Sequence, residues 1–299
     1  VDAHDYSPCH QAYWDSGASA YVIRVGNIPS NGVSPTESNP IIVQVNMPAP
    51  KYYLTVRTDP SAVTPIAGEG WYVNNTDVTL TAPAYVNVST NTRYRFNYWD
   101  VNGASQGIGV NPITVHINAN KTATAHYITQ YLVLFNQTGL SSDSSGAVVV
   151  VNGSSKTYVD FPFSLWADTG SHITYSYSPT VSSTLTGKRF MLNSIVGAPS
   201  PITLLGPQTI TANYVTQYSI SFDQNGVGLS TVDTVVTVNG MPYTATQLPV
   251  SFWMNSSSPV TYGYASIIAG TSPGMRYKLD HVDGPGSPFT LLGPTVITG

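Results

Sequence analysis

The sequence predicts an all-β protein, built of tandem immunoglobulin-like β-sandwich domains in a rod-like array. Apolar and polar residues alternate with the period of two expected for half-buried strands, as around Val78 and Leu80. About seven short strands in roughly 80 residues are typical of an immunoglobulin-like sandwich. Pairs that favour hairpin turns punctuate the chain at Asn102-Gly103, Asn152-Gly153, Asn225-Gly226 and Asn239-Gly240.

An internal repeat sets the domain boundaries. Residues 130–212 match residues 217–299 at a constant offset of 87 without a gap. The matches place Trp166 on Trp253 and Arg189 on Arg276. The predicted domains are an N-terminal assembly segment or partial repeat at 1–50, a divergent first repeat at 51–128, a second repeat at 129–216, and a third repeat at 217–299 whose last strand is incomplete.

The junctions between repeats are short and nearly identical. They are Ile128-Thr129-Gln130-Tyr131 and Val215-Thr216-Gln217-Tyr218. Four such residues are too few for a flexible linker, so we expect adjacent domains to hold a fixed relation.

Composition excludes several classes of protein. Only 11 Lys and Arg stand against 15 Asp and Glu, and 9% of residues are charged, where soluble domains average about 25%. Such a chain lacks the clustered positive charge with which proteins bind nucleic acid. No apolar run approaches the roughly 18 residues of a transmembrane helix, so we predict no membrane span. The 41% hydrophobic content argues against a disordered chain.

No constellation of residues predicts catalysis, so we expect a protein that is not an enzyme. Paired carboxylates, a Gly-x-Ser-x-Gly elbow, a P-loop and a Cys-x-x-Cys pair are all missing from the sequence. Most ionisable residues also fail to recur at the offset of 87: His172 falls on Pro259, and Asp168 falls on Asn255. We expect them to be solvated strand residues.

The amino terminus offers the one candidate metal site. His4, Cys9 and His10 could supply imidazole and thiolate ligands to a transition metal. Their spacing fits neither a terminal copper chelate nor a haem-attachment motif, because the earlier cysteine of that motif is missing. We predict no cofactor; the alternative is a metal or haem near Cys9.

Asn-x-Ser/Thr acceptors predict covalent N-glycans on an exterior surface. The chain is rich in hydroxyl and amide side chains, with 33 Ser, 34 Thr and 20 Asn. The six acceptor sites are Asn74, Asn87, Asn120, Asn136, Asn152 and Asn255.

Aromatic residues allow two interpretations. The recurrence of Trp166 at Trp253, each within an apolar run after a proline, favours packing in a core. The alternative is stacking on sugars, as in carbohydrate-binding modules, by Trp71, Tyr72, Trp99, Tyr158 and Trp253.

The two ends of the sequence predict head-to-tail assembly. The first two repeats close on Tyr127 and Tyr214, and the offset of 87 places the next such tyrosine at position 301, beyond Gly299. Residues 1–50 offer strands without a complete domain, and an open sheet edge pairs readily with another chain. The predicted assembly residues are Tyr21, Val22, Ile23, Val25, Ile41, Val43, Val45 and Ile297.

The first repeat resembles a known class of modules. The resemblance rests on Tyr52-Tyr53-Leu54-Thr55-Val56, Gly68-Glu69-Gly70-Trp71-Tyr72, Tyr98-Trp99-Asp100-Val101-Asn102-Gly103, Asn111-Pro112-Ile113 and Asn120-Lys121-Thr122-Ala123-Thr124-Ala125. These segments are similar to tandem repeats of large archaeal and bacterial surface proteins, including divergent internalin B-type repeats. The resemblance implies an extracellular spacer, adhesin or surface-layer role without catalysis. The internalin repeat has a different β fold, so the sandwich topology stays open.

These observations together predict an extracellular structural protein at the cell surface. We expect the subunit of a filament or surface layer, whose partners are copies of itself in a homopolymer joined by strand complementation. Two alternatives stay open: a glycan-binding adhesin, and a fragment of a longer cell-surface repeat protein.

Overall fold

The computed structural model describes the backbone of three strands before residue 46, and then residues 48–229 and 231–299 with their side chains. The predicted all-β class is confirmed. The regular elements described are strands, apart from two single 3₁₀ turns at Tyr158–Asp160 and Ala245–Gln247.

The strands are numbered in chain order. The first ten are β1 (Ala12–Asp15), β2 (Ala20–Val25), β3 (Ile41–Val45), β4 (Lys51–Asp59), β5 (Gly70–Val73), β6 (Thr76–Leu80), β7 (Tyr85–Ser89), β8 (Thr92–Val101), β9 (Ala104–Ile108) and β10 (Ile113–Ile117). The next ten are β11 (Lys121–Thr138), β12 (Ser144–Ser145), β13 (Val149–Val151), β14 (Ser154–Lys156), β15 (Phe163–Asp168), β16 (His172–Ile173), β17 (Tyr175–Tyr177), β18 (Thr180–Ser183), β19 (Lys188–Val196) and β20 (Ile202–Thr203). The last ten are β21 (Gln208–Asp223), β22 (Thr234–Val238), β23 (Met241–Thr244), β24 (Val250–Asn255), β25 (Pro259–Val260), β26 (Tyr262–Tyr264), β27 (Ile267–Ala269), β28 (Arg276–Lys278), β29 (Phe289–Thr290) and β30 (Thr295–Thr298).

The chain forms two compact units. The first consists of Val1–Ala84 and Phe96–Tyr127, and the second of Tyr85–Arg95 and Ile128–Gly299. The hairpin at 85–95 therefore belongs with the second unit.

In the first unit, the predicted alternation is confirmed in β6 and β10. Val78 and Leu80 are buried, and so are Ile113, Val115 and Ile117 on the paired strand, while the residues between them are exposed. Burial of each such side chain contributes about 1.5–3 kcal/mol, which fixes the register, since a slip of one residue would expose the whole apolar set. In the same unit, β1, β2 and β3 form an antiparallel sheet in that order.

In the second unit, strand pairings recur at the offset found in the sequence. Gln130 pairs with Asp168 between β11 and β15, and Gln217 pairs with Asn255 between β21 and β24. The same correspondence relates β13–β17 to β22–β26 and β16–β20 to β25–β29. Each copy encloses its own apolar cluster, one around Phe135 and Phe190, the other around Ile220 and Phe222.

Three of the four Asn-Gly pairs form the predicted hairpin turns. They join β8 to β9, β13 to β14, and β22 to β23, and both residues of each pair have positive φ, 48° at Asn152 and 80° at Gly153 for example. The prediction is wrong for Asn225-Gly226, which lies in the loop after β21. Gly226 has a φ of 106°, a backbone conformation that favours glycine outside a hairpin as well.

Candidate assembly interface

One continuous strand joins the second repeat to the third. In β21, residues 208–213 pair in parallel with β11, and residues 220–223 pair in parallel with β30. Strand β19 runs antiparallel along β21, from Lys188 opposite Tyr218 to Val196 opposite Thr211. The amide of Ser219 also donates to the carbonyl of Gly187 at 2.8 Å. The last strand of one repeat is therefore also the first strand of the next.

Four side chains meet where this strand passes from the second repeat to the third. Arg189 Nε donates to Gln217 Oε1 at 2.8 Å, and Gln217 Nε2 donates to Asn255 Oδ1 at 2.9 Å. The guanidinium carbon of Arg189 lies 4.4 Å from the ring centroid of Trp253. We call these four residues the second junction cluster.

The hairpin at 85–95 forms the same arrangement with residues 128–168. Arg93 Nε donates to Gln130 Oε1 at 2.8 Å, Gln130 Nε2 donates to Asp168 Oδ1 at 2.7 Å, and the guanidinium carbon of Arg93 lies 4.4 Å from the Trp166 ring. These four residues are the first junction cluster. The guanidinium carbon of Arg93 also lies 4.0 Å from the ring centroid of Tyr85, so this arginine contacts two aromatic rings.

The two clusters differ in charge. Arg95 donates to both carboxylate oxygens of Asp168, at 3.2 Å from Nε and 2.7 Å from Nη2. Hydrogen bonds from Arg95 lower the pKa of Asp168, partial burial opposes that shift, and Gln130 adds to it. In the second cluster, Asn255 and Met191 take the places of Asp168 and Arg95, so both charges are lost together.

The predicted core positions of Trp166 and Trp253 are wrong. Trp253 is 40% exposed and Trp166 is half-buried, because each lies on the outer face of its strand beneath an arginine. The corresponding position of the first repeat holds Trp71, which is 65% exposed and packs edge-on against Tyr53 at 5.3 Å. Trp99 is fully buried and therefore unable to stack on a sugar.

In the third repeat, the residue equivalent to Arg189 lies on a strand with one unpaired edge. Arg276 occupies the place of Arg189, but Arg276 is exposed where Arg189 is half-buried. Tyr277 is half-buried, whereas Phe190 at the equivalent place is fully buried. Within the described part of the chain, β28 forms a two-stranded sheet with β27 alone. Its other edge corresponds to the edge of β19 that pairs with β21.

A buried tyrosine closes the second repeat. Tyr214 is 5% exposed, and its hydroxyl donates to the carbonyl of Ser178 at 2.8 Å. Burial raises its pKa to about 12. A Cβ added to Gly139 would lie 1.9 Å from the carbonyl oxygen of Tyr214, so only glycine allows this approach, and its φ of 84° suits glycine too. In the first unit, Tyr127 is similarly buried and donates to the carbonyl of Pro83 at 3.1 Å.

The third repeat has a cavity at the corresponding place. Its volume is about 520 Å³, and its walls include Gly226, Val235, Tyr264, Ala265, Ile268 and Leu279. Gly226, Val235 and Ala265 are the counterparts of Gly139, Val148 and Ser178, which surround Tyr214. A Cβ added to Gly226 would contact nothing within 4 Å. Tyr214 itself has no counterpart among residues 217–299.

The glycosylation candidates differ in exposure. Asn74 and Asn136 are half-buried, and the exposed ones are Asn87, Asn120, Asn152 and Asn255. Several side chains already accept hydrogen bonds: Asn152 Oδ1 accepts from the amide of Thr174 at 2.9 Å, and Asn120 Oδ1 from that of Tyr53 at 2.8 Å. Their glycosylation stays a prediction.

The candidate assembly residues lie in two places, the N-terminal strands β2 and β3 and the core of the third repeat. Tyr21, Val22, Ile23 and Val25 lie in β2, and Ile41, Val43 and Val45 lie in β3; only the backbone of these strands is described, and β2 pairs with both β1 and β3. Ile297 is fully buried in the core of the third repeat. His4, Cys9 and His10 lie outside the described residues.

Other site chemistry is sparse in the described ranges. No group of three or more His, Cys, Asp or Glu in them could hold a metal ion. Three histidines pair with aspartates: His116 with Asp77 at 2.7 Å, His126 with Asp59 at 2.9 Å, and His281 with Asp280 at 3.1 Å. None of the described helices has the length and apolarity to span a bilayer.

The junction clusters were not predicted, although the sequence carried a signal for them. Arg189 and Trp253 each recur at the offset of 87, and Gln217 stands in the repeated junction. Recurring polar and aromatic residues at a junction would have indicated a shared contact.

A comparison with protein-family models finds no match, and a comparison with curated proteins finds none either.

Proposed function

We propose that the chain is the structural subunit of an extracellular filament or surface layer, in which copies join head to tail by strand complementation. The observation that carries the proposal is the open edge of β28, beside the cavity of the third repeat. An open edge has unpaired amides and carbonyls, and a strand from another chain can satisfy them. A head-to-tail contact that does not close on itself generates an extended polymer.

The proposal includes the architecture of the repeats. We infer that they are immunoglobulin-like sandwiches in a tandem, rod-like array. Support comes from the pairings that recur at an offset of 87 and from strands β11 and β21, which pass from one repeat to the next. Small-angle X-ray scattering tests the rod, and an experimental structure of the second repeat tests the sandwich.

The proposal also includes an exterior location, N-glycans and no catalytic role. Exposed asparagines in acceptor sequences support the glycans, with Asn87 and Asn152 as examples. The resemblance of the first repeat to surface-protein modules supports the location. Tryptic mapping of the native protein, after surface labelling of intact cells, tests location and glycans together.

Electron microscopy and light scattering of the purified chain test the assembly. We expect polymers of the full chain, and monomers after deletion of residues 1–27, which removes β1 and β2. Deletion of residues 1–11 is the matched control, because it leaves both strands and should leave assembly intact. Monomeric full-length protein under all conditions, or unchanged polymers after the longer deletion, would contradict the proposal.

A glycan-binding adhesin is the second candidate, and one observation favours it. Trp71 is 65% exposed beside Tyr53, which offers an aromatic surface of the kind that stacks on sugar rings. Binding of the full chain to a glycan array, abolished by Trp71→Ala and kept by Trp253→Ala, would support this function. Polymerisation without glycan binding would favour the structural role.

A further inference from the structure

We propose that a groove beside strand β4 binds an uncharged glycan, with one sugar ring stacked on Trp71 and its hydroxyls bound by Glu69 and Arg57. The groove has a volume of about 640 Å³ and lies in the first unit. We call it the β4 groove. This inference rests on the second candidate function, glycan binding, and assigns to it a site, a class of ligand and the residues that bind it.

The walls of the β4 groove carry groups that bind hydroxyls. Sites for small ligands are concave, have volumes of about 300–1,000 Å³, and use a few polar groups to orient the ligand. The polar side chains along this groove are those of Arg57, Thr58, Ser61, Thr64 and Glu69. A sugar ring has an apolar face and a rim of hydroxyls, so it needs such groups beside an aromatic ring.

Trp71 supplies the aromatic ring. It is 65% exposed and packs against Tyr53, with the ring centroids 5.3 Å apart and the planes at 70°. A neighbour at that angle covers at most one face of the indole, so the other face is open to a ligand. The hydroxyl of Tyr53 donates to Glu69 Oε1 at 3.0 Å, which connects the aromatic pair to the β4 groove.

The carboxylate of Glu69 is held in a fixed orientation. Its Oε1 accepts from Tyr53, and its Oε2 accepts from the amide of Val56 at 3.1 Å. A carboxylate has about four acceptor positions, so about two are left for hydroxyls of a ligand. The hydrogen bonds from Val56 and Tyr53 lower the pKa of Glu69, desolvation opposes them, and the charge of Arg57 adds to the lowering. Glu69 is therefore an ionised acceptor at neutral pH.

Arg57 supplies donors next to this acceptor. It is exposed, and a guanidinium carries five N–H groups in a planar fork. Each sugar hydroxyl both donates and accepts, so a fixed acceptor beside a donor matches two adjacent hydroxyls. Among the residues that line the β4 groove, Arg57 and Glu69 are the charged ones, and their charges offset each other. An uncharged glycan fits this balance better than an ionic one.

The tryptophan position serves a different contact in the second repeat. There Trp166 lies beneath Arg93, which donates to Gln130. The pairing of β4 with β5 places Lys51 where Gln130 stands in the pairing of β11 with β15. A lysine has no acceptor, so it cannot hold an arginine over Trp71 as Gln130 holds Arg93. The position that is covered at the first junction cluster is thus available to a ligand in the first repeat.

The same geometry disfavours an extended peptide in the β4 groove. Strand β4 pairs with β5 only as far as Leu54, so the edge of β4 beyond that residue faces the groove. An added strand needs free amides along such an edge. The amide of Val56 is already bound by Glu69. The structure therefore favours a glycan over strand addition at this place.

A glycan array, followed by calorimetry of the full chain, gives the first test. The array carries cellohexaose, mannohexaose, maltohexaose and other neutral oligosaccharides, with oligogalacturonate as the charged control. We expect saturable binding of at least one neutral glycan, at least about tenfold tighter than that of oligogalacturonate. Binding of none of them, or a preference for the acidic glycan, would overturn the inference. Tighter binding of the peptide of residues 121–127, which pairs with the other edge of β4, would favour strand addition and overturn it too.

Two pairs of variants test the ring and the donor. Trp71→Ala removes the ring, and Trp253→Ala is its control; Arg57→Ala removes the donors, and Arg276→Ala is its control. We expect at least about tenfold weaker binding of the neutral glycan for the first member of each pair only. Trp71 and Arg57 are exposed, so the fold should tolerate both changes, and thermal unfolding checks this. An affinity equal to that of the control for either variant would overturn the inference.

A third pair tests the acceptor. Glu69→Gln keeps the shape of the side chain and removes its charge, and Asp77→Asn is the control on β6 of the same unit. Hydrogen bonds to charged groups are stronger than those between neutral ones, so we expect at least about threefold weaker glycan binding for Glu69→Gln only. Equal binding by the two variants would show that the carboxylate does not contact the glycan.

Light scattering on the same samples separates failure of the site from failure of the proposed functions. If the full chain binds a neutral glycan and none of the three groove variants weakens it, the adhesin function stands and the β4 groove fails. If the glycan binds through the groove while the chain stays monomeric, the groove stands and the filament fails. If the chain polymerises and no glycan binds, the filament stands, and both the adhesin function and the groove fail.

Discussion

Arg189 lies over the indole ring of Trp253, with its guanidinium carbon 4.4 Å from the ring centroid, and the same distance separates Arg93 from Trp166. In both pairs the arginine also donates to a glutamine at 2.8 Å. The second pair connects two consecutive repeats across strand β21. A cation held between a ring and an amide can orient two modules without a large apolar interface.

A double-mutant cycle measures the interaction free energy between Arg189 and Trp253. We expect a coupling free energy of about 0.5–1 kcal/mol between Arg189→Ala and Trp253→Ala, because a partly exposed cation–π pair contributes that much. Urea unfolding of the four proteins measures it. Arg276→Ala is the control, since Arg276 is the exposed counterpart, and it should change stability by less than about 0.5 kcal/mol. Additive effects of the two mutations would show that the ring and the cation do not interact.

The pairing of Arg95 with Asp168 predicts a dependence of stability on pH. Hydrogen bonds from Arg95 hold the folded-state pKa of Asp168 below its ordinary value, so the pair stabilises the folded chain above that ordinary value, and the contribution is lost as pH falls through the lower, folded-state pKa. Both side chains are about a third exposed, at 29% and 32%, so solvent screening limits the contribution to about 1 kcal/mol.

Asp168→Asn tests this linkage. We expect the variant to be less stable than wild type at pH 7 by about 1 kcal/mol, and the difference to shrink toward pH 2. Unfolding curves at several pH values measure it. Asn255→Asp is the comparison in the third repeat. Because Met191 takes the place of Arg95 there, the new carboxylate has no such arginine to pair with, and we expect it to add no stability. A constant difference at all pH values would refute the assignment.

The two equivalent glycines should respond differently to alanine. Gly226→Ala adds only the strain of a positive φ, which costs about 1–3 kcal/mol. Gly139→Ala adds a clash with the carbonyl of Tyr214 as well, so we expect a further loss of about 2 kcal/mol or more. Thermal unfolding of the two variants compares them directly. Similar destabilisation by both would mean that the backbone near Gly139 moves aside easily.

Exposure predicts which acceptor asparagines carry glycans. We expect occupancy at Asn87, Asn120, Asn152 and Asn255, because their side chains are exposed, and less at half-buried Asn74 and Asn136. Glycopeptide mass spectrometry of the native protein measures occupancy at each position. Asn136 gives the clearest negative expectation, since it is half-buried within strand β11. Glycans confined to the half-buried pair, or none at all, would contradict the prediction.

The amino-acid sequence by itself determined the all-β class, the alternation of buried and exposed residues in β6, and the repeat offset of 87. These properties depend on residues near one another along the chain or on a match of the chain with itself. Three Asn-Gly turns followed for the same reason, because both of their residues adopt positive φ locally.

Only the tertiary structure decided which outward-facing residues meet. Arg189 and Gln217 lie 28 positions apart, and Gly139 touches Tyr214 from the far end of the same repeat. Strand order and register bring such residues together, and neither is encoded in a local pattern of apolar and polar residues. For that reason Trp166 and Trp253 looked like core residues in sequence, whereas the fold places them beneath arginines at the junction clusters.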